Sequence, residues 1–354
     1  MRIEHVRVLT LAIPFREPIV SAAHRWERRR VAIITLRTDS DLEGLGEFAA
    51  AEPGDLGEDV SARLVAALTG VHLGDPVTLE GVLRLIDSWP FVGRVVRSAV
   101  ESALVDLLAR NRGRSVAATL ASHPAGHVPV NGLIGIREPA AAAADATELA
   151  HAGFGCLKLK GGVERPGALR ERVAAVRDAV GPDVALRVDF NGALDSGTAV
   201  DVLRELAGYD LDYAEQPISP TAGARALARV RARSGVRIAA DESVRDLRSA
   251  RALLAADAVD ALVVKPARVG GLRHAGGIVE LATAAEVPVT ISTLFETGVG
   301  IAGGLHLAAA VPGEQAHGLA TAELLESDLL QRALAVDEGR MQVPGGPGLG
   351  ISLD

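Results

Sequence analysis

The stretch Cys156-Leu157-Lys158-Leu159-Lys160-Gly161-Gly162 predicts a β-strand that ends at two glycines. Residues two apart in a strand face the same side, so Leu157 and Leu159 point one way and Lys158 and Lys160 point the other. Taken alone, the lysine face fits an exposed edge strand whose charges discourage aggregation. It also fits two ammonium groups that face a functional site. The segments that follow decide between these interpretations.

Strands alternate with helices on both sides of this stretch. We predict strands at 127–135, 156–160, 184–190, 211–215, 236–240, 261–265 and 287–293. We predict helices at 139–152, 166–180, 196–207, 222–234, 249–256, 275–284 and 299–310. Such alternation is typical of βαβ units on a parallel sheet, and seven strands at this spacing favour a (β/α)7–8 TIM-type barrel. An open doubly wound sheet is the alternative, but no Gly-x-Gly-x-x-Gly follows the first strand.

The N-terminal third of the chain has a different pattern. Strand-like runs at 3–13, 30–37 and 44–49 are followed by helical periodicity from about residue 55 to residue 111. A run of strands followed by a run of helices predicts an α+β domain that precedes the barrel.

Composition excludes several classes of protein. With 354 residues, 48% of them hydrophobic and 23% charged, the chain predicts a globular α/β protein. The net charge of −8 and scattered basic residues give no footprint for nucleic acid or a membrane surface, and we interpret the densest basic run, Arg28–Arg30, as a solvated strand edge. A single cysteine, Cys156, excludes an internal disulfide. With no apolar signal-peptide core or membrane span, we expect a cytoplasmic protein.

Acidic residues end three consecutive predicted strands. Twenty-six residues separate Asp189 from Glu215 and Glu215 from Asp241, and 24 separate Asp241 from Lys265. Each interval is one βα unit, so these side chains should meet at the C-terminal mouth of a parallel barrel, where TIM-barrel active sites lie. Three converging carboxylates repel one another unless a cation lies between them. Oxygen ligands favour a hard metal, and Mg²⁺ is the ion we expect, with Mn²⁺ as the alternative.

The position of the three acids suggests a catalytic role for the lysines on either side of them. Lys160 precedes the acidic series and Lys265 follows it, so two ammonium groups can face opposite sides of one substrate carbon. We expect repulsion between cations, the metal ion and partial burial to lower a lysine pKa toward the range of a general base. Metal coordination would stabilise the enediolate formed when a carboxylate loses its α-proton. The predicted chemistry is proton abstraction α to a carboxylate, and the predicted partner is a small carboxylate substrate.

Five short motifs occur in the following order: Lys158-Leu-Lys160, Val188-Asp-Phe-Asn191, Glu215-Gln-Pro217, Ala240-Asp-Glu-Ser243 and Val263-Val-Lys-Pro266. Together they resemble the enolase superfamily, and within it the muconate-lactonizing-enzyme subgroup. The resemblance implies that Asp189, Glu215 and Asp241 are the metal ligands. It also implies that Lys160 is the base on one face of the substrate, that Lys158 tunes its charge, and that Lys265 is the acid, base or cation on the other face.

The resemblance also suggests domain boundaries. It implies a capping domain over residues 1–124, a catalytic barrel over 125–324, and a C-terminal segment over 325–354 that returns to the capping domain. Capping loops complete the substrate pocket in this family, so Ile19–Trp26 is the candidate loop, with Arg25 available for a distal carboxylate. Asn191, Ser292 and Glu296 are the other predicted substrate-binding residues. We also expect a homo-oligomer.

The choice of reaction depends on weaker sequence features. The segments Val289–Ala310, His317–Leu329 and Val264–Gly271 are similar to o-succinylbenzoate synthases, which implies dehydration in menaquinone biosynthesis. Dipeptide epimerases usually carry Asp-x-Asp after the last barrel strand, and here that region is Gly318-Leu-Ala-Thr-Ala-Glu323. Ala320 departs from the glycine that we expect in many synthases. N-succinylamino-acid racemisation, dipeptide epimerisation and muconate-type cycloisomerisation stay open, as does a catalytically dead binding protein.

Overall fold

The N-terminal unit is an antiparallel sheet packed against helices. We describe a computed structural model of the chain at residues 1–20, 25–49, 58–74, 76–89, 93–162 and 167–354. The sheet is formed by β1 (Ile3–Val20), β2 (Arg25–Thr38) and β3 (Glu43–Ala49), in that order. It is followed by α1 (Glu58–Leu68), α2 (Pro76–Asp87), α3 (Gly93–Asn111) and α4 (Val116–Leu120). The predicted α+β capping domain is confirmed.

Two glycines allow β3 to lie directly on α3. A Cβ at Gly44 would be 2.2 Å from the carbonyl oxygen of Ala103, and one at Gly46 would be 1.9 Å from that of Ala99. Neither position can accept a side chain without separating the strand from the helix. This close approach brings Glu47, the next residue of β3, to the edge of the barrel.

The barrel strands form one parallel sheet in sequence order. They are β5 (Gly132–Ile134), β6 (Cys156–Lys160), β7 (Ala185–Asp189), β8 (Leu211–Glu215), β9 (Ile238–Ala240), β10 (Ala261–Val264) and β11 (Val289–Ile291). The helices are α5 (Pro139–His151), α6 (Ala168–Val180), α7 (Ser196–Leu206), α8 (Ala224–Ser234), α9 (Leu247–Ala255), α10 (Pro266–Val269), α11 (Leu272–Ala284) and α12 (Gly298–Ala308). Residue 166, the predicted start of α6, lies outside the described residues. The predicted TIM-type barrel is confirmed.

A very short segment fills the eighth position of the barrel. His317 bridges Val130 and Gly318 bridges Ser292, both in parallel orientation. The His317 amide donates to Pro129 O at 2.8 Å, and the Gly318 amide donates to Ile291 O at 2.8 Å. Backbone hydrogen bonds therefore join the last strand to the first and close the ring.

The first predicted barrel strand, 127–135, is wrong as a single element. The structure divides it into β4 (His127–Pro129) and β5, which belong to different sheets. β4 pairs with β13 (Arg340–Gln342), which also pairs with β12 (Val336–Asp337). Pro129 has no amide hydrogen to donate, and the chain changes sheets just after it. The residues before and after Pro129 both favour a strand, so the sequence does not show that the chain passes from one sheet to another there.

The C-terminal residues contact α3 of the capping domain. The amide of Leu349 donates to Asp106 Oδ1 at 2.8 Å, and that carboxylate also pairs with Arg110 at 2.8 Å. The second oxygen of Asp106 accepts from the Leu45 amide at 2.9 Å. One buried carboxylate thus connects the helix, the capping sheet and the C-terminal segment. Among the residues described, no helix is both long and apolar enough to span a bilayer.

The barrel closure generates a pH prediction. His317 is 2% exposed, and its Nδ1 accepts the Ile291 amide at 3.0 Å. Burial and the nearby Arg187 charge together lower the pKa of His317 to about 3. The unfolded chain, with a histidine pKa of about 6.5, binds a proton there as the pH falls below 6.5 while the folded chain does not. Folding stability must therefore fall across this range.

We expect urea unfolding to show the wild type losing about 2 kcal/mol more than His317→Asn between pH 7 and pH 5. The asparagine oxygen can still accept a hydrogen bond from the Ile291 amide. All other titratable groups are the same in both proteins, so their contributions cancel in the comparison. Equal losses in the two proteins would contradict the prediction.

Candidate active site

The strand register places the predicted residues at one end of the barrel. Lys160 is paired with Asp189, and Asp189 with Glu215, across three adjacent strands. Asp241 and Lys265 directly follow β9 and β10, so they lie at the same C-terminal mouth. The residues two positions earlier along the same strands, including Tyr213 before Glu215 and Val263 before Lys265, fill the barrel interior. The carboxylates of Asp189, Glu215 and Asp241 are fully buried.

Lys158 and Lys160 share the first two carboxylates. Nζ of Lys158 lies 2.7 Å from Glu215 Oε1 and 3.1 Å from Asp189 Oδ2. Nζ of Lys160 lies 2.7 Å from Asp189 Oδ2 and 3.1 Å from Asn191 Oδ1. Both lysines are 8% exposed, so the edge-strand interpretation is wrong. Strand β6 pairs with β5 on one side and with β7 on the other, so it is an internal strand of the sheet.

Asp241 pairs with two cations from the segment after β10. Nζ of Lys265 lies 2.7 Å from its Oδ2, and Arg268 contacts its Oδ1. Arg268 is a site residue that the sequence analysis missed. Lys265 precedes the short helix α10 and Arg268 ends its first turn, so three-residue spacing brings both cations to one carboxylate. The three-residue spacing of Lys265 and Arg268 is visible in the sequence, but the sequence does not show that Asp241 is their shared partner.

Two backbone positions shape the surrounding loops. Asn191 and Gln216 have φ of 46° and 40°, in the left-handed region that asparagine tolerates better than most residues. Nδ2 of Asn191 donates to Glu242 Oε1 at 3.1 Å, so this amide joins Lys160 to a fourth acid, which is partly buried. Gln216, also missed, accepts the amides of Asp241 at 3.1 Å and Ser243 at 3.0 Å. It fixes the loop that carries Asp241.

The acids divide into two electrostatic groups. Burial alone would raise the pKa of Asp189, but Lys158 and Lys160 hold it below its usual range. Burial would likewise raise the pKa of Asp241, which Arg268 and Lys265 keep low. Burial and the Asp189 charge raise the pKa of Glu215 to about 7, despite Lys158. Burial and the Asp241 charge raise the pKa of Glu242.

The pKa of Lys158 is shifted away from the range that a general base needs. Burial lowers the pKa of this ammonium, but the carboxylates of Asp189 and Glu215 outweigh burial and raise it well above its ordinary value. The fold gives Lys158 two acidic neighbours at hydrogen-bond distance, and their charges favour its ammonium form. In this arrangement the two carboxylates favour the charged form of Lys158.

The oxygen atoms of this site suit a hard divalent cation. Within the described ranges, no three Asp, Glu, His or Cys side chains converge as a ready-made metal cluster, since lysine and arginine contact the carboxylates. However, Oε2 of Glu215 and Oε2 of Glu242 are buried with no hydrogen-bond partner. A buried acceptor without a donor is costly, and a raised carboxyl pKa marks a shortage of positive charge. Asp189, Glu215 and Asp241 are the residues that would hold the ion.

A small cavity opens beside the lysines. Its wall contains all three lysines, the barrel-closing residues and the loop after β11: Asn131, Leu133, Lys158, Lys160, Lys265, Ser292, Thr293, Phe295, Gly318, Ala320 and Thr321. Phe295 contacts two capping-sheet aromatics edge to face, Phe15 at 5.7 Å and Trp26 at 6.0 Å between ring centroids. The capping domain therefore supports an aromatic part of the cavity wall.

The structure separates the four predicted substrate-binding residues. Ser292 lines the lysine cavity, and Asn191 contacts Lys160. Glu296 is 5% exposed and lines a neighbouring internal cavity that also contains Ser292. Arg25 is exposed, with Nε 3.9 Å from Glu27 Oε1. The rest of the candidate capping loop, residues 21–24, lies outside the described residues. These assignments stay predictions.

The solvated-edge interpretation of Arg28–Arg30 is wrong at its central residue. Arg29 is 6% exposed, whereas Arg28 and Arg30 are exposed. Burial lowers the pKa of Arg29, and the charges of Glu296 and Glu47 oppose that shift. Alternation in β2 turns this one arginine toward the barrel, where two acids compensate its charge.

The arrangement places two ammonium groups across the mouth of the barrel. Lys160 ends the second strand position of the eight-position ring and Lys265 follows the sixth, so they are diametrically opposed. A planar carbon between them is accessible to one Nζ on each face. Cations surround the place where a carboxylate would acquire charge as its α-proton leaves.

The chain is similar to known proteins in sequence and in fold. The chain is 40% identical over 221 residues to o-succinylbenzoate synthase of Thermobifida fusca, a match that covers 61% of this chain and 66% of that synthase, just under two thirds. It is 25% identical over 312 residues to N-succinyl-L-Arg/Lys racemase of Bacillus cereus, covering 87% of this chain and 84% of the racemase. A dipeptide epimerase from Enterococcus faecalis, solved with Mg and L-Leu-L-Tyr, superimposes with a TM-score of 0.91 at 28% identity, covering 99% of this chain and 100% of that one.

Family models match both parts of the chain. The mandelate racemase / muconate lactonizing enzyme N-terminal domain matches residues 3–120, and the enolase C-terminal domain-like model matches residues 141–354. The protein therefore belongs to the mandelate racemase and muconate lactonizing enzyme group of the enolase superfamily.

Proposed function

We propose that this protein catalyses Mg²⁺-dependent abstraction of a proton α to a carboxylate, and that its reaction is the syn-dehydration that gives o-succinylbenzoate in menaquinone biosynthesis. The observation that carries the proposal is the pair of opposed ammonium groups, Lys160 and Lys265, with buried carboxylates between them. Proton abstraction next to a carboxylate needs a base on one side and positive charge around the developing anion.

In this reaction Lys160 removes the α-proton. Its Nζ, in the neutral form, takes the proton from the carbon, and the C–H electron pair moves into the enediolate. The same Nζ returns the proton to the departing β-hydroxyl, so hydroxide leaves as water on the face from which the proton came. A bound Mg²⁺ would supply positive charge to the substrate carboxylate.

The side chains around Lys160 stabilise the anionic intermediate and orient the base. Lys265 lies across the ring from Lys160, so its ammonium faces the opposite side of the planar anion. Lys158, whose pKa Asp189 and Glu215 raise against the effect of burial, stays charged and does not compete for the proton. Asn191 accepts from Lys160 at 3.1 Å and thereby orients its Nζ.

The cavity wall supports a substrate without a free amine. Gly318, Ala320 and Thr321 contribute no charge beside the lysines. A substrate ammonium in this position would have three lysines nearby and no acid from this segment. A dicarboxylate such as the cyclohexadiene precursor of o-succinylbenzoate suits this lining better. The similarity to the T. fusca synthase points the same way.

Racemisation of N-succinylamino acids is the second candidate. It is favoured by Lys265, because a second Nζ across the ring can return a proton to the opposite face. A succinylated amine carries no ammonium and also suits the cavity wall. Both candidates share the first proton transfer and differ in whether a hydroxyl then leaves.

The discriminating experiment supplies each substrate class in deuterated solvent. We expect the cyclohexadiene precursor to lose water and give the aromatic product. N-succinylamino acids should show α-proton exchange with inversion only if racemisation is the activity. Turnover of neither substrate by the Mg²⁺-loaded protein would contradict the proposal.

We expect Mg²⁺ to stabilise the folded protein. At a concentration a hundredfold above its dissociation constant, one bound ion adds about 2.7 kcal/mol, seen as a rise in melting temperature over protein treated with chelator. Asp241→Asn should lose this shift, and Mn²⁺ should reproduce it in the wild type. Asp246→Asn is the matched control, because Asp246 caps α9 nearby and asparagine also caps. An equal shift in D241N and D246N would contradict the ligand assignment.

Lys160→Ala should lower kcat by about 10²–10⁴-fold, the usual contribution of a general base. Lys160→Arg keeps the charge beside Asp189 but does not release a proton near neutral pH, so it should be equally inactive. Both variants should retain the Mg²⁺-dependent rise in melting temperature. Substantial activity in either variant would remove Lys160 from its role.

Ala320→Asp should lower kcat/KM for the cyclohexadiene dicarboxylate by about tenfold or more, because it adds a negative charge to the cavity wall. Ala320→Asn has nearly the same size without the charge and is the control. Equal effects of the two substitutions would show that space, not charge, governs this position.

A further inference from the structure

The segment that carries Lys265 and Arg268 is held at its far end by the capping domain. This segment, Lys265–Gly271, includes α10 and ends in two glycines with φ of 97° and 125°. At the active-site end both cations contact Asp241. At the other end the segment meets α3.

Arg97 of α3 makes the contact. It is 4% exposed, and its guanidinium Nη1 donates to the carbonyl oxygen of Gly270 and to Glu101 Oε2, 2.8 Å away. The same nitrogen lies 2.9 Å from His274 Nδ1, and Nε lies 3.0 Å from Asp87 Oδ2. Arg97 thus ties a backbone carbonyl of the segment to the buried Glu101 and to Asp87 of the capping domain.

Glu101 holds the next residues. Its carboxylate is 1% exposed, and Oε1 accepts the backbone amide of Arg273 at 2.8 Å. A Cβ at Gly271 would be 2.5 Å from the same oxygen, so the glycine permits the close approach. Arg97 and Glu101 lie one helical turn apart on α3. Together they bind the backbone at the C-terminal end of the segment, at Gly270 and Arg273.

We propose that Arg97 is a positioning residue for Lys265 and Arg268. The segment is only seven residues long, so displacement of Gly270 moves the short helix that begins after Lys265. Arg97 touches no reacting atom. It sets the place from which the Lys265 ammonium faces the substrate, and its effect on turnover rests on the proposed function.

The test uses the double variant R97Q/E101Q in the full-length, Mg²⁺-loaded protein. Removing both charges avoids leaving Glu101 buried without its partner, and glutamine can still accept the Arg273 amide. We expect kcat to fall about tenfold with KM within twofold of the wild type. R97K, which keeps the charge beside Glu101, should recover most of kcat.

Arg94→Gln is the matched control. Arg94 also lies on α3 and reaches the barrel, with Nη2 3.1 Å from Asp246 Oδ2, but it is exposed and contacts a different loop. It should leave kcat and KM unchanged. A decrease in R94Q equal to that in R97Q/E101Q would overturn the proposal, because it would show a general effect of the domain contact.

Amide hydrogen exchange gives a readout that does not depend on activity. The amides of Val269, Gly270 and Gly271 bond within the segment, to Lys265 O and Pro266 O. In R97Q/E101Q a peptide covering 266–273 should exchange faster, while one covering 156–162 should not. Unchanged protection of 266–273 would overturn the positioning role. A wild type inactive on both substrates would instead overturn the proposed function, and the exchange result would still decide the role of Arg97.

Discussion

The structure depends on charge balance in a buried space. Four acids and four cations meet at the barrel mouth: Asp189, Glu215, Asp241 and Glu242, with Lys158, Lys160, Lys265 and Arg268. A buried charge that loses its partner costs about 3–5 kcal/mol, so each member limits what the others can be. The numbers of acids and cations are equal, but the pairing is locally incomplete, because Glu215 and Glu242 each keep an oxygen without a hydrogen-bond donor. The site is thus stable as a network and still able to accept further positive charge.

The same constraint explains how much could be predicted from the sequence. Asp189, Glu215 and Asp241 end strands at regular intervals, and periodicity alone brought them to one edge of the sheet. The eighth barrel position could not be found this way, because His317 and Gly318 are too few to show alternation. Their pairing depends on hydrogen bonds to Pro129 and Ile291, far away in the sequence.

Arg29 and Arg268 show the other limit of sequence analysis. Each looks like a surface arginine in the sequence. In the fold Arg29 is buried and Arg268 is partly buried, because distant acids face them. The alternation of β2 gives Arg29 a side but does not show what covers that side. Arg268 has the correct spacing from Lys265, yet its partner Asp241 belongs to the preceding βα unit. Side-chain partners across elements are a property of the assembled fold.

The capping domain does more than cover the barrel. Glu47, which β3 brings to the barrel edge, accepts the Thr297 amide at 2.8 Å, the Thr297 hydroxyl at 2.6 Å and the Gly300 amide at 2.9 Å. It therefore caps the first turn of α12 and fixes the loop that carries Ser292 and Phe295. Burial and the nearby Glu296 charge together raise the pKa of Glu47 to about 7. The capping domain thus holds the pocket wall through Glu47 and the Lys265 segment through Arg97. Because both candidate reactions in the proposed function begin with the same proton transfer to Lys160, the choice between losing a hydroxyl and returning a proton must come from how these walls orient the substrate.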